Sequence, residues 1–212
     1  MSAKPAMLAG AVASLLALWL AMMLAGTGLL DHQLLHALYA ADTPAVRGAV
    51  ILVTNLGQWW VLVTLTLLGV AWLLYRRRAR VALFLLATTL SGRLVAELQK
   101  LAIGRHRPED EAHLVIVRDL SFPSAHAANA MIVFLSLALL VAPRRYRYLA
   151  VAIALAASAA IGITRPMLGV HWPSDVVGGW AFGAAWVLLM VALAERHGEA
   201  QTAGINSHGR GQ

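Results

Sequence analysis

The sequence predicts an all-α fold, a polytopic membrane bundle of six transmembrane helices, and three observations lead to it. Of the 212 residues, 60% are hydrophobic and only 13% are charged, whereas about a quarter of the residues in soluble domains are charged. The apolar residues form long runs, and about twenty apolar residues are what a helix needs to cross a bilayer. Arginine-rich segments separate some of these runs, as cytoplasmic loops of membrane proteins do.

Six apolar segments account for the predicted spans. The first, over 6–30, is longer than the apolar core of a cleavable signal, so we expect it to be retained as a helix. The remaining spans are expected over 59–75, 81–101, 125–141, 148–163 and 173–193. Residues 1–194 would form one membrane domain, and the polar, glycine-containing segment 195–212 is expected to be a disordered cytoplasmic tail.

The connecting segments differ in character. Segment 31–47 mixes apolar and polar residues and is expected to lie at the membrane interface, while 105–122 is an unusually long polar loop. The third span carries Arg93, Glu97 and Lys100 on one helical face. Charges within a span usually face the protein interior or a water-filled cavity; for the first two of these residues, helix packing and catalysis both remain open.

Charge distribution predicts the orientation of the bundle. The net charge is +7, but the arginines cluster at 76–80 and 144–147 rather than along a soluble face, which favours a membrane over a nucleic acid as partner. Basic loops lie on the cytoplasmic side, so we expect both termini there. The polar segments of spans three to six then face outward, toward the periplasm in a bacterial inner membrane.

Three segments at the outward helix ends carry the chemistry. Lys100 and Arg107 supply cations, Pro123–His126 opens a helix, and Arg165 adds a third cation. A helix N-terminus presents unpaired N–H groups and partial positive charge, which suit phosphate. Phosphoryl transfer requires that the equatorial oxygens be neutralised. These cations, the Ser124 hydroxyl and the backbone N–H groups can do so.

Two histidines supply the reacting groups of such a site. His171 and Asp175 are four residues apart, so the carboxylate can bond one imidazole nitrogen and leave the other as a nucleophile. His126 can then protonate the leaving alkoxide and later activate water. The chain has no cysteine, which excludes disulfides, thiolate catalysis and cysteine-ligated metal centres.

These residues resemble the type 2 phosphatidic acid phosphatase (PAP2) superfamily, whose pattern is K-x6-RP, PSGH and SR-x5-H-x3-D. Here Lys100 precedes Arg107-Pro108, Pro123-Ser124-Ala125-His126 follows, and Thr164-Arg165 precedes His171 and Asp175. Ala125 replaces the usual glycine and Thr164 the usual serine; the first still offers a backbone N–H and the second a hydroxyl.

The resemblance implies a lipid phosphatase that needs no metal or other cofactor. His171 would be the nucleophile, Asp175 would orient it, and His126 would be the general acid. Phosphate would be held by Lys100, Arg107, Ser124, Ala125 and Arg165, together with His126. Substrates in the family suggest undecaprenyl diphosphate, phosphatidylglycerol phosphate, phosphatidic acid or lipid A phosphates; an outward-facing site favours undecaprenyl diphosphate.

Other readings remain open from the sequence. His126, His171 and Asp175 could be metal ligands, although three nearby cations oppose a bound metal. The phosphohistidine could pass its phosphate to a second lipid, or the chain could be a lipid or anion transporter. Trp172 is expected to be an interfacial anchor. Surface or loop positions, some of them able to attract anionic headgroups, are expected for His32, His36, His113, His197, His208, Arg105, His106 and Arg118.

Overall fold

The structure is a computed structural model that describes residues 3–40, 43–117 and 119–208. Every regular element within these residues is helical, which agrees with the predicted all-α class. In chain order the α-helices are α1 (Ala3–Ala25), α2 (Leu29–Leu38), α3 (Pro44–Asn55), α4 (Trp59–Tyr75), α5 (Ala79–Ile103), α6 (Ala125–Leu140), α7 (Arg147–Met167) and α8 (Pro173–His208), with a 3₁₀ turn at Arg144–Tyr146 before α7.

Helix length and composition support a membrane bundle. Four helices of the described residues, α1, α5, α7 and α8, are long and apolar enough to cross a bilayer alone, and α3 and α4 qualify together across a bend of 43°. Helix α6 has 16 residues and is about 24 Å long, against a hydrocarbon core of about 30 Å. These helices give four or five candidate spans, so the number six stays a prediction.

The short helix α6 lies at the centre of the bundle. Nine of its residues are buried, and it contacts α5, α7 and α8. Its apolar side chains form the main core with residues of α5 and α8: Ala96, Ala128, Met131, Ile132, Leu135, Phe182 and Val187. The surrounding helices instead expose large apolar side chains, which is the pattern expected of a surface in contact with lipid.

The helix directions bring the polar segments to one end of the bundle. Helix α5 ends at Gly104, which adopts the left-handed conformation (φ 68°) and donates its N–H to the Lys100 carbonyl at 3.0 Å. Such a glycine ends a helix without a Cβ penalty, and the chain then enters the long loop before α6. The arginine-rich turns at 76–80 and 144–147 lie at the opposite ends of α5 and α7.

Segment 31–47 contains most of α2 and the start of α3, and its interfacial position stays a prediction. Asp31 lies in the first turn of α2 and is only 6% exposed. Its carboxylate accepts hydrogen bonds from the Thr27 N–H at 2.7 Å and the Ser174 N–H at 2.9 Å. A buried acid that caps a distant helix has no periodic signature, so the sequence did not predict this contact.

The helix that contains the sixth predicted span extends into the polar segment after 194. Helix α8 continues without a break to His208, because extending an existing helix avoids the cost of nucleating a new one. Residues 209–212 lie outside the described residues. The division between a membrane domain and a tail therefore stays a prediction.

Two predictions for aromatic and basic side chains were wrong. Trp172 is buried rather than anchored at the interface, and its indole N–H donates to the His106 carbonyl at 3.1 Å. Arg105 is not a solvated loop charge, because its side chain is only 8% exposed. Both residues lie in the packed contact between the long loop and the start of α8.

Some of the histidines that were expected at the surface contact other residues. His32 pairs with Asp110, and His36 lies 2.6 Å from the Glu111 carboxylate, although both imidazoles remain well exposed. His113 is exposed and contacts the Pro108 carbonyl at 2.9 Å. The predictions for Arg118, His197 and His208 fall outside the described side chains.

Candidate active site

The predicted site residues meet in one cavity at the polar end of the bundle. The cavity has a volume of about 320 Å³ and is bounded by the ends of α3 to α7 and by the long loop. Of the eight predicted residues, six line it: Lys100, Arg107, Ala125, His126, Arg165 and His171. Ser124 and Asp175 are buried at the starts of α6 and α8, where Ser124 N–H donates to the Asp175 carbonyl at 3.0 Å.

His171 lies in the short turn between α7 and α8 and is 2% exposed. Its Nδ1 is 3.3 Å from the Asp175 carboxylate, and its Nε2 is 3.1 Å from an Arg107 guanidinium nitrogen. Because guanidinium only donates, this arrangement puts the imidazole proton on Nδ1 and the lone pair on Nε2. Nε2 is therefore the ring nitrogen that carries the lone pair.

The electrostatic surroundings keep the His171 ring neutral. Burial lowers the pKa of His171 well below its usual 6.5, and the cations Arg107, Arg165 and Lys100 lower this pKa further. Burial also lowers the pKa of Arg107 to about 10, so that guanidinium stays charged near neutral pH. A neutral imidazole beside permanent cations is the state that a nucleophile toward phosphate requires.

Ser121 is a site residue whose role the sequence did not predict. Its hydroxyl donates to Asp175 Oδ2 and lies 3.3 Å from His171 Nδ1. Asp175 Oδ2 also accepts the Trp172 N–H at 2.9 Å. The only sequence signal was its place directly before the Phe122-Pro123-Ser124 stretch.

The start of α6 offers polar atoms that lack protein partners. Among the described side chains, Ser124 Oγ, His126 Nε2 and Arg165 Nε are buried without a hydrogen-bond partner. Buried polar groups normally have partners, and the backbone N–H groups of a helix's first turn have none within the helix. Together they make the cavity suitable for an anion with several acceptor oxygens.

Arg165 differs from its expected place in a turn. It lies in the last turn of α7, which continues to Met167, and is 4% exposed. Its guanidinium donates to Thr54 Oγ1 at 2.9 Å, so the end of α3 sets its direction into the cavity. Thr54 carried no sequence signal, because helix α3 precedes every motif of the chain.

Asp119 is an acidic residue of the site that sequence analysis missed. Its carboxylate pairs with Lys100 and lies 2.6 Å from an Arg107 nitrogen, while its carbonyl accepts Arg107 Nε at 2.7 Å. Its side chain is 53% exposed, in contrast to the nearly buried Lys100. Nothing in the loop's composition distinguished this aspartate from Asp110 or Glu111.

The metal-site alternative finds no geometric support. Within the described part of the chain, no three His, Asp or Glu side chains are grouped so that they could hold a metal ion. His126 instead faces Lys100, Arg107 and Arg165, whose charges act on it together. Cations at this density favour an anionic ligand.

Arg93 and Glu97 border the cavity on the α5 side. Arg93 also lies at the mouth of an apolar groove between α4, α5 and α6, as does Asn129. The groove is otherwise bounded by Leu62, Val63, Thr66, Leu67, Leu86, Thr89, Leu90, Ile132 and Val133. The polar cavity and the apolar groove therefore adjoin, with Arg93 and Asn129 in the walls of both.

Comparisons with known proteins agree with this geometry. The chain is 36% identical over 122 residues to a lipid A 1-phosphatase of Rhizobium johnstonii, covering 52% of this chain and 46% of that protein. It thus spans about half the length of that relative. It is 28% identical to phosphatidylglycerophosphatase B of Bacillus subtilis, covering 76% of this chain and 87% of that protein.

A solved structure has the same fold. The crystal structure of a transmembrane PAP2 type phosphatidylglycerolphosphate phosphatase from Bacillus subtilis superposes with a TM-score of 0.80 at 27% identity, covering 87% of this chain and 96% of that one. Residues 80–199 match the family model of the PAP2 superfamily, a range that contains all the cavity's predicted residues. The chain belongs to the PAP2 superfamily.

Proposed function

We propose that the protein is an integral membrane phosphatase that hydrolyses the terminal phosphate of a lipid phosphate or diphosphate. One observation carries the proposal: His171, His126 and three cations border one cavity that adjoins an apolar groove. Phosphate suits the polar part, and a hydrocarbon chain suits the groove. The relatives named above as phosphatases of lipid substrates support the same class.

In the first step, His171 Nε2 attacks the phosphorus atom. A P–N bond forms while the P–O bond to the lipid breaks, and protonated His126 gives its proton to the leaving oxygen. Lys100, Arg107 and Arg165 neutralise the equatorial oxygens, with N–H groups of the α6 start and Ser124 Oγ as further donors. Asp175 stabilises the positive charge that develops on the imidazole.

In the second step, water replaces the histidine. Neutral His126 accepts a proton from the water, whose oxygen attacks phosphorus as the P–N bond breaks. His171 and inorganic phosphate are released, so no redox partner or metal takes part. His126 ends the cycle protonated and ready for the next substrate.

The lipid tail would occupy the groove between α4 and α5. Seven of the groove's eleven lining residues are leucine, isoleucine or valine, and two of them, Leu67 and Leu90, are 55% and 61% exposed. A substrate could therefore enter sideways from the bilayer while its phosphate reaches the cavity past Arg93. Lateral entry favours lipids over soluble phosphate esters.

The orientation belongs to the same proposal. The arginine-rich turns lie at the end opposite the cavity, and basic loops favour the cytoplasm. With the bent α3–α4 pair as one span and the central α6 as another, six spans place both termini in the cytoplasm. The cavity then faces the periplasm of a bacterial inner membrane, where recycling of undecaprenyl diphosphate would need it.

Phosphate release from purified protein in detergent tests this proposal. The substrates are undecaprenyl diphosphate, phosphatidylglycerol phosphate, phosphatidic acid and a lipid A phosphate, each assayed with EDTA. We expect release that EDTA does not reduce, fastest with undecaprenyl diphosphate, and a loss of several orders of magnitude in His171→Ala. The exposed loop variant His113→Ala is the matched control.

Three outcomes would contradict parts of the proposal. Release abolished by EDTA would refute the metal-independent mechanism. A phosphorylated second lipid without free phosphate would indicate a phosphotransferase. No reaction with any lipid, together with movement of labelled lipid across vesicles, would favour the transporter.

A further inference from the structure

Arg105, which occupies an unspecified position of the K-x6-RP pattern, is held between α1 and α8 by four hydrogen bonds. One guanidinium nitrogen donates to Asp175 Oδ1 at 2.8 Å and to Ser174 Oγ at 3.0 Å. The other donates to the carbonyls of Met22 and Met23 at 2.9 and 2.6 Å. These carbonyls belong to the last turn of α1, where helices lack internal donors and favour cations.

The residues around the Arg105 guanidinium leave a slot that matches its planar shape. Its central carbon lies 4.4 Å from the ring centroid of the fully buried Phe122. On another side Gly26 provides the space, because a Cβ there would overlap both terminal nitrogens of Arg105. A planar, forked cation fits this slot, and a lysine could not bond α1 and α8 at once.

The bond to Asp175 fixes the carboxylate that faces the nucleophile. Arg105 engages Oδ1, while Oδ2 accepts from Ser121 and from the Trp172 N–H and lies 3.3 Å from His171 Nδ1. With both oxygens bonded, the carboxylate cannot rotate away from the imidazole. The ion pair also compensates a charge that is completely buried.

A second contact holds the same turn of α8 from the same side. Asp31 accepts hydrogen bonds from the Ser174 N–H at 2.9 Å and from the Ser174 hydroxyl at 2.5 Å. Its carboxylate also accepts the Thr27 N–H at 2.7 Å. The corner between α1 and α2 therefore fixes the residue adjacent to Asp175.

We infer that Arg105 is a positioning residue for phosphoryl transfer. It joins Asp175 to the end of α1, and in this way it orients Asp175 and, through Asp175, the His171 imidazole. The inference rests on the proposed function for its kinetic consequence. The inference gives helix α1 a role in the site, although α1 lies outside residues 80–199, the range that matches the family model. Arg105 acts through Asp175 and does not touch phosphate.

The position of Arg105 predicts which kinetic constant changes. Neither Arg105 nor Met22 is among the described residues that line the cavity. Arg105→Gln should therefore leave KM within about twofold while kcat falls by roughly 100-fold, the loss expected when a reacting group is misplaced. Arg165→Gln, which removes a cation of the cavity, should instead raise KM.

A double-mutant cycle with Asp175→Asn separates positioning from general damage. The kcat loss caused by Arg105→Gln should shrink to less than about threefold when Asp175 is already altered, because the two residues act as a unit. Arg145→Gln, an exposed arginine at the opposite end of the bundle, is the control and should leave kcat unchanged. Equal losses in both backgrounds, or a rise in KM alone, would overturn the inference.

Hydrogen exchange tests the positioning without any activity. Arg105→Gln should speed exchange of the amides over 171–176, where the Trp172 N–H bonds Asp175, and leave those of the central α6 unchanged. Unchanged protection over 171–176 would refute the inference even if the wild type released no phosphate. Absence of release by the wild type would refute the proposed function alone.

Discussion

Asp119 pairs with Lys100 and Arg107, the two cations of the loop side that we propose hold phosphate. Buried cations need a counter-charge, and the half-exposed carboxylate supplies it before substrate arrives. A phosphate that binds the same cations must displace this carboxylate into solvent. At the scale of single residues, Asp119 would therefore weaken phosphate binding and favour product release.

We predict that Asp119→Asn lowers the inhibition constant for inorganic phosphate or orthovanadate by about tenfold, or 1.4 kcal/mol. The neutral amide no longer competes for the two cations, so KM for the lipid should fall as well. Asp110→Asn, in the same loop but paired with His32, serves as control. Weaker inhibition in Asp119→Asn would mean that the carboxylate positions the cations instead.

At the scale of elements, the ends of five helices build the cavity, and three of them, α4, α5 and α6, also line the groove. Helix α5 contributes to both spaces, because Lys100 lies at its polar end and Leu90 nearly three turns earlier. Helix α6 separates the groove from the core. In the proposed function, the same helices would therefore bind both the headgroup and the tail of the lipid.

Filling the groove should affect long substrates selectively. We predict that Leu90→Trp raises KM for a long-chain lipid phosphate about tenfold, because the indole occupies space that the tail needs. Hydrolysis of a short-chain, soluble phosphate ester should remain within twofold of wild type. Leu149→Trp, on the exposed face of α7, is the control; equal effects on long and short substrates would contradict tail binding in the groove.

At the scale of the whole molecule, charge separates the two ends of the bundle. The cavity and the long loop lie at one end, and the arginine-rich turns lie at the other. The chain contains no cysteine, so single cysteines can report the side of each end. His113 and Arg145 are exposed residues of the two ends.

We predict that a membrane-impermeant maleimide labels His113→Cys on intact spheroplasts. Arg145→Cys should react only after the membrane is permeabilised, because positive loops remain in the cytoplasm. The cysteine-free wild type gives the background. Labelling of Arg145→Cys alone on intact spheroplasts would invert the proposed orientation.

The site residues that could be predicted from the sequence are those that lie at the ends of helices. Lys100, His126, Arg165 and His171 could be brought together from the sequence, since each lies at or beside the same end of an apolar segment. Asp119, whose contacts depend on how the long loop folds back onto Arg107, could not. A loop without periodicity does not show which of its acids turns inward.

The first hundred residues illustrate the same limit in the fold. Asp31 belongs to a segment of mixed polarity that shows no sign of a buried contact, yet it caps α8 across the bundle. Thr54 ends a short helix without any motif, yet it directs Arg165. Such contacts arise from packing between distant segments, so they appear only when the helices are assembled.

The most direct test of the account is to trap the covalent intermediate. Wild-type protein would be mixed with a lipid labelled at its terminal phosphate, quenched in base, and mapped by mass spectrometry. We expect phosphate on His171, stable in base and lost in acid as a P–N bond is, and none in His171→Gln. Label on another residue, or turnover by His171→Gln at the wild-type rate, would contradict it.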